Sequence, residues 1–212
     1  MQEIFELLRG TAAEVRRDPV AAAMGMLPLV GLGMWGDLGG VETMRLSFLT
    51  LSMTAFVLQY VLTRRAMRAG GLLSNAAPGK AAAFFGLCVL ADLGILLGFT
   101  LLIVPGIWLY ARWIAAGPIL FAEGMTVSEA LANSAERTRP LLGAIMGAAC
   151  ILYLPFVAGF GASIVAEEAG IWSAWAWMAI HLALTVSQIA GWYLAVAVYR
   201  AVEGEPLNDV FA

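Results

Sequence analysis

The sequence predicts an all-α integral membrane protein, a six-helix transmembrane bundle with amphipathic interfacial helices. Three observations carry this. The 212 residues are 61% hydrophobic and 13% charged, whereas average soluble domains hold about 45–50% apolar and about 25% charged residues. So little charge cannot cover a soluble surface, so lipid must solvate much of the chain. Six apolar runs follow one another with short polar breaks, and none alternates in the way a barrel strand does.

Residues 1–18 come first. Ile4, Phe5, Leu8, Ala12 and Val15 recur at helical spacing among Glu3, Glu6, Arg9, Glu14, Arg16 and Arg17, which predicts an amphipathic helix in the membrane interface. The mixed charge of this stretch and its late apolar run argue against a signal peptide. Residues 19–201 form the membrane domain, with spans at about 19–35, 46–63, 81–104, 107–123, 141–165 and 171–200. A polar turn from Gly36 to Arg45 separates the first two, and the basic stretch RRAMRAGGLLSNAAPGK separates the second and third. The fourth is short: Ile107 to Phe121 would cover only about 22 Å at 1.5 Å per residue, against a hydrocarbon core of about 30 Å. Pro118 removes a backbone donor there and should kink the helix. Residues 202–212 read as a polar tail.

Basic residues orient the spans. With the N-terminus inside, ten Lys and Arg fall in inner segments and only Arg45 in an outer loop, with Arg112 inside a span and left out of the count. This is a strong positive-inside pattern. Trp35, Trp108, Trp113, Trp172, Trp175 and Trp177 then map to the outer ends of spans as an aromatic belt. Both termini are expected to be cytoplasmic, in an inner membrane.

Pro19, Pro78 and Pro140 each open an inside-to-outside span, and AAEVRRDPVAAAMG can be laid against SAERTRPLLGAIMG. One reading is three pseudo-repeated helical hairpins, each led by an interfacial segment. The other is the ordinary preference of proline for a first helical turn. Gly94-x-x-x-Gly98 and Gly143-x-x-x-Gly147 should let helices approach closely within the bundle.

Between Val104 and Pro140 lies the most patterned stretch, VPGIWLYARWIAAGPILFAEGMTVSEALANSAERTRP. Thr126-Val127-Ser128-Glu129 is a capping-box pattern and predicts a helix over 126–139 along the membrane surface. The stretch resembles the bacterial membrane-domain superfamily found fused to some glycerophosphoryl diester phosphodiesterases and found also as stand-alone inner-membrane proteins. Pro105, Gly106, Arg112, Pro118, Glu123, Ala130, Leu131, Ser134 and Arg137–Arg139 carry the resemblance. It implies a six-span fold, not an activity. The phosphodiesterase catalytic domain, with its acidic metal ligands and two histidines, is absent from a chain with one His.

Four polar residues stand out in or beside apolar spans. Asp92 is near mid-membrane, where a charge costs on the order of 2.5–3.5 kcal/mol on insertion scales and calls for a partner or water. It reads either as a proton or cation site or as a hydrogen-bonded carboxyl joining helices. His181 lies at similar depth and could pair with Asp92 as a proton relay, with Ser187 and Gln188 one to two turns on, or simply bond a neighbouring helix. Arg112 either snorkels to the surface or a phosphate head group, or pairs with Asp92. Glu123 is expected to cap or anchor its helix end rather than pair with Arg112.

Catalytic inventories fail. Ser163 sits in GASIV, not in a nucleophile elbow, and no P-loop or dinucleotide fingerprint occurs. Two cysteines and one histidine do not make a zinc set of the usual kind, so no metal or other cofactor is expected. The net charge of −3 gives no nucleic-acid footprint. The expected function is non-enzymatic, acting through membrane lipids or partner proteins in envelope maintenance. The alternative is a small transporter, channel or lipid-handling protein that uses Asp92, His181 and Arg112.

Overall fold

The computed structural model describes residues 1–73, 80–170 and 174–203. Ten helices occupy them, and no strand forms among the described residues. They are α1 (Gln2–Arg17), α2 (Pro19–Leu38), α3 (Gly40–Ala69), α4 (Ala81–Leu101), α5 (Ile103–Trp113), α6 (Ala116–Glu123), α7 (Val127–Arg137), α8 (Leu142–Leu152), α9 (Leu154–Glu168) and α10 (Ala174–Glu203). Five stretches are long and apolar enough to cross a membrane, with α5 and α6 together making one of them. The bent pair α8–α9 makes a sixth if it is one span.

The apolar helices pack most extensively as sequence neighbours, α2 on α3, α4 on α5 and α9 on α10. α10 is the central post. It touches α1, α2, α3, α6, α8 and α9, and Tyr193, Leu194, Val196, Val198 and Tyr199 in its second half are fully buried. Large apolar side chains such as Leu27, Phe48, Leu97, Leu154 and Val157 point outward and are exposed. With lipid as the solvent, that arrangement carries no penalty.

Several expected boundaries move. There is no Gly36–Arg45 loop: Gly39 alone separates α2 from α3, and Asp37 belongs to α2. α3 is 30 residues long, about 45 Å at 1.5 Å per residue, so it outruns a hydrocarbon core and carries Arg64, Arg65 and Arg68 on its final turns. The turn after α4 falls at Leu102, whose backbone is extended, rather than at Pro105-Gly106. Pro105 and Gly106 lie in the first turn of α5, where a missing N–H has no helical acceptor to disappoint. The fourth span therefore starts at Ile103 and runs to Glu123, 21 residues in all. That is about 31 Å, so the expected shortfall disappears.

The N-terminal helix packs on the bundle along one stripe. Its buried stripe is Leu7, Thr11 and Glu14, flanked by the half-buried Ile4, Leu8 and Val15, while Phe5 is exposed. That stripe packs on α10 and α8. Glu14 bonds Arg17 and, at 2.9 Å, Arg200, whose guanidinium also donates to the Gly70 carbonyl. Asp18 caps α2 through Ala21 N–H and receives Arg65 at 2.7 Å. The first helix is thus bolted to the bundle as well as being amphipathic. Pro78, Trp172 and the tail from residue 204 onward lie outside the described residues.

Two spans are broken at depth. α5 ends at Trp113 and α6 restarts at Ala116, two residues before Pro118, whose ring removes the donor that Ile114 would otherwise accept. The run at 141–165, expected as one straight helix, bends by 40° at Tyr153, just ahead of Pro155 in the first turn of α9. Broken backbone is tolerated at membrane depth only where protein or a cavity satisfies it. Here hydroxyls do so. The Arg112 carbonyl accepts from Ser134 Oγ at 2.8 Å and Thr138 Oγ1 at 3.3 Å, and the Phe156 N–H donates to Ser187 Oγ at 3.0 Å.

Candidate functional site

The sequence-selected polar residues do not converge. His181 Nε2 lies 2.6 Å from Asp37 Oδ2, so its partner is Asp37 near the end of α2 and not Asp92. The boundary error at Gly36 had hidden this pair, by placing Asp37 in a turn. The Arg112 guanidinium sits 4.8 Å from the centre of the Trp108 ring, and neither it nor His181 lines a void with Asp92. Glu123 forms a two-pronged pair with Arg137 at 2.6 and 2.7 Å, as an anchor at a helix end should. Gly124, with φ of 73°, supplies the left-handed turn that follows it.

The patterned stretch is consequently a folded clamp. α7 begins with a complete capping box on Thr126 and Glu129. The hydrogen bond from the Thr126 backbone lowers the Glu129 carboxyl below its ordinary range. α7 packs on α4, α5 and α6 with Ala130, Ser134 and Thr138 fully buried. Its hydroxyls hold the broken end of α5, and Arg137 holds the end of α6. The hydrogen bonds that Arg137 donates to Glu123 keep its guanidinium protonated above its usual range.

Asp92 is different. It is the twelfth residue of α4, about 17 Å along a helix of about 31 Å. Its side chain is exposed rather than packed, and it makes no hydrogen bond or ion pair among the described residues. Three voids meet at it. The first, of about 230 Å³, is bounded by Gln59, Tyr110, Trp113, Tyr153 and Gln188; at about 30 Å³ each it has room for about seven waters. The second, of about 630 Å³, is an apolar groove between Ile95, Phe99 and Ile107 on one side and Ala149, Leu154 and Val157 on the other. The third, of about 290 Å³, runs past Ser52, Phe56, Gln59 and Gln188. The groove falls in the size range of sites that hold drug-sized ligands.

The two helix breaks create this chamber. Trp113 stands at the end of α5 and Tyr153 at the α8–α9 bend, and both are chamber wall. Trp113 is therefore mid-span and not a member of an edge belt. The Tyr110 and Tyr153 rings meet edge-on with centres 5.8 Å apart. Gly191 makes space for them: a Cβ there would fall 2.7 Å from the Tyr153 hydroxyl and 3.1 Å from that of Tyr110.

Gln59, Gln188, Tyr110 and Tyr153 were not singled out from the sequence as partners of Asp92. One signal was present: the chain has three glutamines, and two of them lie inside apolar spans. Among the described residues no group of three His, Cys, Asp or Glu is placed to hold a metal. No protein-family model, no curated protein and no solved structure matches this chain.

Proposed function

We propose that this is a non-enzymatic, six-span protein of the bacterial inner membrane, with both termini cytoplasmic. Its work is to hold a membrane-dissolved amphiphile, with the apolar part in the α4–α5/α8–α9 groove and the polar end at Asp92. The single observation that carries this reading is the Asp92 carboxyl at mid-span, unpaired among the described residues and shared by a polar chamber and an apolar groove. An intramembrane carboxyl without a partner is expensive, and its retention makes sense if something else completes it. Discontinuous helices near the midplane, with their breaks facing a cavity, are how membrane proteins build such sites. The positive-inside charge pattern supports the orientation.

Membership of the superfamily that the 104–139 stretch resembles, and a threefold hairpin repeat, are part of the same proposal. The alignment of Asp18-Pro19 and Arg139-Pro140 supports the repeat. So does the packing of α2 on α3, α4 on α5 and α9 on α10 as sequential pairs.

The test is whether the groove takes up an apolar chain. The protein would be placed in lipid nanodiscs and titrated with amphiphiles carrying brominated chains, which quench nearby tryptophan. Trp113 lines the chamber, so quenching should fall sharply in Trp113→Phe. It should fall also in Val157→Trp once the added tryptophan signal is subtracted, because the exposed Val157 lines the groove and a larger side chain there fills it. Quenching that is insensitive to both substitutions refutes the reading.

A further inference from the structure

Charge decides what kind of amphiphile fits. The walls of the three voids contain one carboxylate, Asp92, and no Lys, Arg or His. Arg112 is committed to the Trp108 ring, Arg137 to Glu123 and Arg64 to Tyr60. A phosphate or carboxylate head group would bring a second negative charge to Asp92 with no cation beside it. An uncharged head could donate hydrogen bonds to Asp92 but would leave its charge uncompensated in a medium where that is costly. A positively charged nitrogen would resolve both problems.

The rest of the wall is suited to the same ion. Tyr110, Trp113, Tyr153, Trp192 and Phe84 line the chamber that Asp92 faces. Aromatic faces attract cations through the ring quadrupole, and aromatic enclosures are the usual protein solution for quaternary ammonium. Gln59 and Gln188 add amide oxygens, which accept from N–H donors. From the chamber the groove leads away between Ile95, Phe99, Ile107 and Val157, all apolar.

We infer that the Asp92 chamber is a site for lipophilic cations: molecules with one apolar body and one ammonium nitrogen, the nitrogen beside Asp92 and the aromatic rings, the apolar body in the groove. This rests on the cleft reading above and narrows it to one charge class.

The test uses three probes with the same chain: dodecyltrimethylammonium, dodecanol and dodecyl sulfate. Each is titrated below its micellar concentration into protein-containing nanodiscs, with the heat of empty nanodiscs subtracted. The cation should bind at least tenfold more tightly than dodecanol, and dodecyl sulfate more weakly than either. Asp92→Asn should weaken the cation by tenfold or more and leave dodecanol unchanged. The wild-type ranking needs no variant to fold, so it tests the inference by itself. Equal affinity for all three probes, abolished by Val157→Trp, would overturn the cation assignment and leave the cleft standing. Absence of binding for every probe would overturn both, and preference for the sulfate would overturn the charge argument outright.

Discussion

Removing the two hydroxyls that close the break in the fourth span tests the clamp formed by α7. Ser134 Oγ donates to the Arg112 carbonyl at 2.8 Å, and Thr138 Oγ1 reaches the same oxygen at 3.3 Å while also donating to the Ser134 carbonyl at 2.7 Å. Both residues are fully buried. Ser134→Ala deletes the better bond and leaves the carbonyl one longer, shared donor. A net hydrogen bond contributes about 0.5–1.5 kcal/mol, and bonds between membrane helices average about 0.6 kcal/mol, so the expected loss is about 1 kcal/mol. Thr138→Val keeps the shape and costs less, about 0.5 kcal/mol, because the surviving Ser134 bond is the shorter one. With both changed, the carbonyl is stranded. A buried unsatisfied polar group costs about 1–3 kcal/mol, so the double variant should lose about 2.5 kcal/mol, more than the sum of the singles. The coupling of about 1 kcal/mol is the quantity to measure. Unfolding in mixed micelles with rising SDS fraction, followed by circular dichroism, reads it directly. A double variant within about 0.5 kcal/mol of wild type, or strictly additive singles, would refute the view that α7 satisfies a broken backbone.

Four further outcomes are expected. Gly98→Ala should destabilise by about 1–3 kcal/mol, because its Cβ would come within 2.9 Å of the Gly106 Cα and 3.0 Å of its nitrogen. Gly143→Ala, with nothing within 4 Å of the new atom, should be neutral or slightly stabilising in the same micelle titration. His181→Ala and Asp37→Asn should show a coupling of about 0.5–3 kcal/mol in a double-mutant cycle, whereas His181→Ala and Asp92→Asn should be additive. Because the folded Glu129 carboxyl is held below its ordinary range, its contribution to α7 is present above that range and is lost as pH falls through the folded value. Amide exchange of α7 should therefore quicken on acidification, and Glu129→Gln should flatten that response.

Hydropathy made the order of the helices legible. Six apolar runs, an N-terminal helix and a capped helix after Thr126 all have counterparts in the structure. What hydropathy does not encode is where a span breaks. Pro118 marked the Ile114-Ala115 break in advance, whereas Leu102 and Tyr153 sit in apolar context, and the exposed backbone at both span breaks is satisfied by tertiary partners, Ser134 and Ser187. The stretch from Gly36 to Arg45 misled in the opposite direction. Asp37 and Glu42 suggested a loop, yet a single residue, Gly39, suffices, and Asp37 remains helical to meet His181.

The candidate site was half legible for a related reason. A lone aspartate in an apolar run announces itself because its cost is large. Neutral polar residues do not, since Gln59, Tyr110, Tyr153 and Gln188 are each tolerable in a span for packing reasons alone. Only the fold reveals that three helices, α3, α5 and α10, and the α8–α9 bend bring them to one place.

The notch at Gly191 gives the chamber an unusual genetic property. The hydroxyls of Tyr110 and Tyr153 occupy the volume where any larger residue would put its first carbon. A single methyl at that position would crowd both tyrosine hydroxyls and take up chamber space from the α10 side, while leaving Asp92 and the α7 clamp chemically untouched. Gly191→Ala would thus be a separation-of-function allele: a chain that inserts, folds and accumulates normally but has lost its interior. In a deletion strain it would tell the phenotypes that need an occupied chamber from those that need only the presence of the protein in the membrane.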